Sequence, residues 1–280
     1  MKPVKVTCDS SCDLTAQLYQ RYDITYIPMY IQLGDTRFPD QLDCDTLYAR
    51  EKQSVSLPRT FAPSSEEYKQ FFLQFTAQGA QVIHISTSAA GSQAFQNAKT
   101  AADSLSDVFV IDSCALSASA GHLAILGVEL SHAGLDGAEI ADALEDIKQQ
   151  LDTSFLPSSP QHLPKIGLRT TLALRSAAFL QQNCSIQIQH GKISAGARFR
   201  GDWEHTIPAY LRSQLENKPN IQHDRLFLTH TGLAPGLLQK AVDLIRTLQP
   251  FDEIIITSAG CASACQFGPN CLGIHYLHAT

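Results

Sequence analysis

Short apolar runs alternate with segments of helical period through the first half of the chain, and each run ends in a hydroxyl-rich turn. The run at 4–6 leads into Thr7-Cys8-Asp9-Ser10-Ser11-Cys12-Asp13. The run at 82–85 leads into Ser86-Thr87-Ser88-Ala89-Ala90-Gly91-Ser92, and that at 108–111 into Asp112-Ser113-Cys114-Ala115-Leu116-Ser117. Strand, polar turn and helix start in repetition predict a parallel sheet with helices on both faces. The turns of such a sheet line one edge, where ligands bind. Free N–H groups at the helix starts, joined by hydroxyls, favour an anionic ligand. The same Ser, Thr and Asp residues also serve as ordinary N-caps, and the pattern alone leaves both readings open.

Finer periodicity fills in the elements. A helix is predicted over 14–21 with Asp13 as its N-cap, then one strand over 24–33 broken by Gly34-Asp35. Asp43 or Asp45 caps a short helix through Glu51, and the loop Leu57-Pro58-Arg59-Thr60-Phe61-Ala62-Pro63 follows, braced by proline near both ends. Ser64 and Glu67 have capping-box spacing, ahead of a helix with Tyr68, Phe71, Phe72 and Phe75 on one face. Further helices are expected from the Gly91-Ser92 turn to about 105, over 117–134 and over 137–151. In the second of these, Ala118-Ser119-Ala120-Gly121 would let a neighbouring backbone or a slender ligand approach closely. Pro157, Pro160 and Pro164 lie among serines and suggest a hinge dividing the chain into domains at 1–155 and 156–280. Beyond it the pattern gives a helix over 169–182 and a hairpin of 185–189 with 192–195 about His190-Gly191. A helix over 203–217, a strand over 225–229, a helix over 235–248 and a strand over 253–257 come next. A Cys/Gly loop from Gly260 and a closing strand over 272–276 complete the chain. The fold class is therefore α/β in two domains: an N-terminal parallel sheet with flanking helices, and a mixed C-terminal α/β domain.

Composition narrows the function. In 280 residues, 44% apolar and 17% charged content describes a folded chain with a substantial core. A net charge of −6 and no dense Lys/Arg cluster argue against nucleic acid as the main partner. No apolar run approaches the roughly 18 residues that span a bilayer. Met1-Lys2-Pro3-Val4 runs into a strand without a signal-peptide core, so the cytosol is the expected compartment. There is no Gly-rich dinucleotide loop, Walker loop or nucleophile elbow. His84, His122, His230 and His275 are scattered and read as core histidines. Asp9 and Asp112, both at strand ends, could share a metal, but aspartate is also a common turn former. Binding rather than catalysis is expected, with no cofactor.

Five of eight cysteines cluster near motif segments: Cys8 with Cys12, and Cys261 with Cys265 and Cys271. In a reducing compartment they read as small apolar side chains. The rival is a thiolate metal or redox site that draws the two clusters together, although Cys-x3-Cys is a loose match to zinc-knuckle spacing.

Several segments together resemble the DegV-like fatty-acid-binding proteins. Thr7-Cys8-Asp9-Ser10-Ser11-Cys12-Asp13-Leu14 is similar to that family's "TDSTADL" opening, and Pro58-Arg59-Thr60-Phe61-Ala62-Pro63-Ser64 to its "PTTSQPS" loop. The turn at 85–92 resembles "SSxLSGT", and Val110-Ile111-Asp112-Ser113 resembles "VIDS". Arg200-Gly201 follows the Gly191-Lys192-Ile193 turn, and Gln266-Phe267-Gly268-Pro269-Asn270 is similar to "HTGPG". The segments keep the family's order across essentially the whole chain. The resemblance implies a fatty acid between two α/β domains, its tail in an apolar tunnel and its carboxylate held by hydroxyls of the proline-braced loop and the glycine turn. It also implies a partner acyl kinase that phosphorylates the bound acid, with Arg200 as a phosphate or partner contact. Carried across, the ligand-binding positions are Thr60, Phe61, Ala90, Gly91, Ser92 and Gln266. Thr60, Gly91 and Ser92 keep the pattern. Phe61 and Ala90 stand where the family has serines, Gln266 replaces a histidine and Asn270 a glycine. Each lost hydroxyl removes a hydrogen bond worth about 0.5–1.5 kcal/mol.

Overall fold

The computed structural model describes residues 2–54, 57–158 and 183–279. In the first half the elements are β1 (Val4–Asp9), a 3-10 turn (Ser10–Cys12), α1 (Ala16–Arg21), β2 (Thr25–Ile27), β3 (Tyr30–Leu33), β4 (Thr36–Pro39) and α2 (Cys44–Gln53). β5 (Arg59–Phe61), α3 (Ser65–Thr76), β6 (Gln81–Ser86), α4 (Ala94–Ala102), β7 (Val108–Asp112), α5 (Ala118–His132) and α6 (Gly137–Ile147) follow. One parallel sheet has the order β2-β1-β6-β7, with α5 and α6 packed on one face and α3 and α4 on the other. The alternation of apolar runs and amphipathic segments produces this doubly wound layer, since each sheet face must be covered. Ser64 and Glu67 form the expected capping box, and Asp43 caps α2 by accepting from Thr46 N–H.

Three first-half predictions change. The single strand over 24–33 is two strands: β2 joins the parallel sheet, while β3 pairs antiparallel with β4 and β5 in a small separate sheet. Pro28 stands between them, has no N–H to donate, and marks where the chain leaves the larger ladder. The proline-braced loop contains β5, so Thr60 and Phe61 sit on a short strand. Asp13 is not the cap of α1. Thr15 is, and Asp13 takes φ 49 at the end of the 3-10 turn, with its carboxylate directed elsewhere.

The second half adds β8 (Leu151–Leu156), β9 (Asn183–Gln189), β10 (Lys192–Phe199), α7 (Trp203–Leu215), β11 (Arg225–His230), α8 (Pro235–Leu248), β12 (Glu253–Ser258), α9 (Cys261–Phe267) and β13 (Leu272–Leu277). These strands form a mixed sheet of order β10-β9-β8-β13-β11-β12. The hairpin turn has φ 50 at His190 and φ 72 at Gly191, the positive values a two-residue type I′ connection demands. The hydrogen bonding of β8 assigns it to this second sheet, so the changeover between sheets precedes Leu151 and a division after residue 155 would cut a strand. The segment read as a Cys/Gly loop is α9, capped at Gly260 and buried along most of its length. Its small residues carry no amphipathic stripe because neighbours enclose it on nearly every side. The helix expected over 169–182 and most of the proline-rich hinge lie outside the described residues.

α5 joins the two halves. It packs on β1 and β6 of the first sheet and on β8, β11 and β13 of the second, and is buried almost without break from Ala118 to Val128. A helix enclosed this way must be slender, which its Ala, Ser and Gly content provides. A neighbouring backbone, not a ligand, takes up the space at Gly121: a Cβ there would meet the Cys12 carbonyl and Leu14 at 2.6 Å. Gly121→Ala should therefore destabilise the protein by about 1–3 kcal/mol, read as a lower urea midpoint. An unchanged midpoint would show that α5 can shift to accept the methyl.

Candidate functional site

The turn after β6 is shaped from below by Asp9. This fully buried carboxylate accepts from Tyr68 Oη, from Ser86 Oγ at 3.1 Å, and from Thr87 N and Oγ1 at 2.7 and 2.9 Å. His84 Nε2 lies 3.4 Å from Asp9 Oδ1, an electrostatic approach longer than a good hydrogen bond. Burial, the largest influence, pushes the Asp9 pKa up. His84, Tyr68 and the Thr87 N–H together outweigh it, and the carboxyl titrates below its ordinary 3.8. Ser11 shares its hydroxyl with Thr87, and Ser10 Oγ donates to Asp40, so these hydroxyls of the first two turns are spent inside the protein. Asp112, the proposed metal partner of Asp9, accepts from the N–H groups of Ala89 and Cys114 at 3.1 and 3.0 Å.

Above this network the chain from Ala89 to Gln93 forms one wall of an open cleft. A lobe of about 560 Å³ is lined by Thr60, Phe61, Ala90, Gly91 and Ser92, together with Arg37, Ala62, Ala89, Gln93 and Asn97. A second lobe of about 360 Å³ shares Thr60, Phe61 and Gly91 and adds Pro58, Arg59, Cys265 and Gln266. All six ligand-binding positions derived from the sequence thus border one cleft, brought there by β5, the turn before α4, and α9. Ser92 Oγ accepts from Ala94 N–H at 3.1 Å, which leaves its own proton for another acceptor. Asn97 Nδ2 donates to the Pro63 carbonyl at 2.7 Å and holds the loop against α4. Arg200 follows β10 and lines neither lobe.

Gln266 owes its place to α9, and two buried acids of the first half hold the start of that helix. Asp13 accepts from Gly260 N–H at 2.8 Å and from Ser117 Oγ. Asp40 accepts from Ala262 N–H at 3.1 Å and from Ser10 Oγ at 2.7 Å. Ser117 sits at φ 58, ψ −146, an unfavourable backbone that its bond to Asp13 helps to hold. Both acids also border a separate cavity of about 520 Å³ beside Tyr19 and Tyr26. The sequence singled out Asp13 only as a helix cap, and Asp40, Arg37 and Asn97 not at all. The register of β3 with β4 and β5 is what places Arg37, and no local motif records it.

The cysteines do not converge. Cys8 and Cys12 lie in the core between α5 and the first sheet, while Cys261 and Cys265 lie with Cys44 in a second core and Cys271 in a third. Cys44 Sγ donates to the Ala259 carbonyl at 2.9 Å and Cys261 Sγ to that of Leu42 at 3.1 Å. Burial pushes the Cys44 pKa up to about 12 and raises those of Cys261 and Cys271, which opposes thiolate formation. Among the described residues no group of three or more His, Cys, Asp or Glu is arranged to hold a metal ion. The shared thiolate site is thus corrected to separate packing roles. His122 and His275 are likewise buried, and burial lowers their pKa values to about 3. No helix among the described residues is long and apolar enough to cross a membrane.

Known proteins match this architecture along its whole length. The family model described as "Uncharacterised protein, DegV family" matches residues 3–279. The chain belongs to the DegV family. A "Fatty acid-binding protein" of Thermotoga maritima is 24% identical over 278 residues, covering 96% of each chain. Among solved structures, a DegV family protein of Thermus thermophilus described by its fatty acid binding is similar with a TM-score of 0.84 at 21% identity, covering 99% of this chain and all of that one. A stearic acid-binding protein of Eubacterium ventriosum has a TM-score of 0.82 at 21% identity, with 98% of both chains covered. At these identities the structural likeness establishes the DegV fold.

The acid pair gives this DegV protein a testable pH dependence. Burial, the largest influence, lifts the Asp13 pKa from 3.8 to about 7, aided by Asp40 and opposed by Ser117, Ser263 and Gly260 N–H. Between these values the folded chain keeps a proton that the unfolded chain releases, so this contribution to stability is full at acid pH and falls as pH rises toward 7. Asp13→Asn removes the titration. From about pH 4.5 to 7.5 the variant should gain on the natural protein by on the order of a few kcal/mol, measured by urea unfolding at both pH values. A pH-independent difference would contradict a raised Asp13 pKa.

Proposed function

We propose that this protein binds a long-chain fatty acid, with the carboxylate in the cleft among Thr60, Ser92 and Gln266, and that it presents the acid to a partner acyl kinase. The observation that carries the reading is the meeting of β5, the turn before α4, and α9 around one cleft, with hydroxyl and amide donors and no Asp or Glu among its described lining residues. Lobes of about 560 and 360 Å³ suit a small-molecule ligand. Relatives described as fatty acid-binding support the ligand class. Phe61 and Ala90 reduce the hydroxyls at the head group, leaving Thr60 and Ser92 with the Gln266 amide. The tail would run toward the apolar cluster that adjoins Gln266, where Leu116, Phe155, Ile186, Ile188 and Phe267 lie together. Each methylene buried there contributes about 0.8 kcal/mol, so the chain supplies most of the affinity and the head group fixes orientation.

In this reading the protein is a carrier rather than an enzyme, works in the cytosol, and takes the fatty acid as its one ligand without a cofactor. The second domain, from Leu151, closes over the acid, and Arg200 meets a phosphate or the kinase surface through its guanidinium fork.

Mass spectrometry of the organic extract from denatured, purified protein should find a stoichiometric fatty acid, and added acid should raise the melting temperature of delipidated protein. Extracts without acyl ligand, combined with no thermal shift, would overturn the reading. Thr60→Val, which keeps shape and removes the donor, should weaken carboxylate binding by about 1–3 kcal/mol in an equilibrium titration, and unchanged affinity would remove Thr60 from the site. With a cognate kinase present, Arg200→Ala should impair acyl-phosphate formation while binding persists.

A further inference from the structure

Across the small sheet, Gln32 of β3 pairs with Arg37 of β4 on one side and with Arg59 of β5 on the other. Paired positions share a face of the sheet, so the two arginines flank Gln32 at a span of about two strand spacings, roughly 10 Å. Tyr30 and Phe61 are also a registered pair, two residues along the same face. The Arg37 guanidinium lies 4.1 Å from the Tyr30 ring centroid and 5.5 Å from that of Phe61. Such stacking holds a guanidinium in place while leaving its N–H edge free for an anion. Phe61 is 38% exposed, unusual for so large an apolar side chain, and Arg37 rests on it.

The charges around this strip point the same way. Arg37 lines the larger lobe and Arg59 the smaller, and both side chains are exposed. Glu67 is the acid whose titration feels Arg37, and its oxygens already accept from Ser64 N at 2.7 Å, from Ser64 Oγ at 2.6 Å and from Tyr30 Oη. Gln32 Nε2 is turned to the Gly34 carbonyl at 3.1 Å. The protein as a whole carries −6, so an approaching anion is repelled by most of the surface and attracted at this cleft.

We infer that Arg37 and Arg59 form a capture site for the anionic head group at the cleft mouth, steering a long-chain carboxylate toward Thr60, Ser92 and Gln266. This rests on the fatty-acid reading above. Arg37 acts through its charge, and the Tyr30–Phe61 pair keeps that charge beside the cleft instead of letting it range through solvent.

Stopped-flow association of a pyrene-labelled long-chain acid, and of the matching alcohol, tests the inference on delipidated full-length protein between about 0.02 and 0.3 M salt. For the natural protein the acid should bind faster at low salt, and the alcohol should show no salt dependence. The double variant Arg37→Gln with Arg59→Gln should associate with the acid about tenfold more slowly at low salt and lose the salt dependence, while its rate with the alcohol stays unchanged. Arg37→Lys should keep most of the salt dependence, since the charge remains. Thermal unfolding of each variant confirms that these exposed positions leave the fold intact. A double variant with the natural rate and salt slope, or a natural protein whose acid association ignores salt, overturns the capture site alone. A natural protein that binds neither probe overturns the fatty-acid reading as well.

Discussion

One buried carboxylate, Asp9, sets the shape of the cleft edge. Removing a charge from water costs several kcal/mol unless its lone pairs are met. Here they are met by Tyr68 from α3, Ser86 at the end of β6, and the N–H and hydroxyl of Thr87. Those donors reach Asp9 only when α3, β6 and the following turn are all in place, so their positions depend on one another. The depressed pKa expresses the same fact, since the ionised form is held better inside the fold than in water. The contribution is present above the ordinary carboxylate pKa and is lost as pH falls below it. Because Thr87 starts the turn that carries Ala90, Gly91 and Ser92, the cleft wall inherits the rigidity of this network.

A second constraint fixes the other wall. α5 lies between the two sheets and is slender enough for both to close on it. At its start, Asp13 and Asp40 reach from the first half to the N–H groups at the beginning of α9. Acids suit that end of a helix, where unpaired N–H groups gather. The two acids thereby set where α9 begins, and Gln266 lies at its far end, beside the cleft. The opposite directions of the Asp9 and Asp13 shifts follow from their surroundings. Asp9 meets strong donors and a histidine, whereas Asp13 is buried as deeply beside a second acid.

Much of this was legible in the sequence, and what was missed has physical causes. The Ser64–Glu67 box, the Asp43 cap, the His190-Gly191 turn and α8 are local features, governed by capping and turn chemistry that a few neighbours decide. The small sheet leaves little trace in the sequence because β3, β4 and β5 are short and β5 joins from far along the chain, and the position of Arg37 goes with it. α9 reads as a loop in the sequence because Cys261-Ala262-Ser263-Ala264-Cys265 has no polar face, which in a helix enclosed by neighbours is not needed. Thr60, Ser92 and Gln266 were grouped by motif resemblance alone. Their segments are far apart in the chain, and no periodicity brings them together.

The hydroxyl-rich turns serve both of the roles that the sequence left open, divided by depth. Ser11, Ser86, Thr87 and Ser117 face inward, where they satisfy Asp9 and Asp13 or one another, and these are structural bonds a ligand could not recruit without unpairing a buried charge. The cleft above is left with Thr60 and Ser92 as hydroxyls, the Gln266 amide, and a wall that includes Ala89, Ala90 and Gly91. Small side chains there bring backbone close to whatever enters, while the arginines at the rim supply the charge that the hydroxyls lack. The cysteines follow the same division. Those near the motif segments are drawn into the cores, and Cys44 and Cys261, whose thiols burial keeps protonated, donate to carbonyls that hold α2 and α9 together. Polarity in this fold is thus used first to build the edge, and only the few groups left over at the surface are placed to recognise anything.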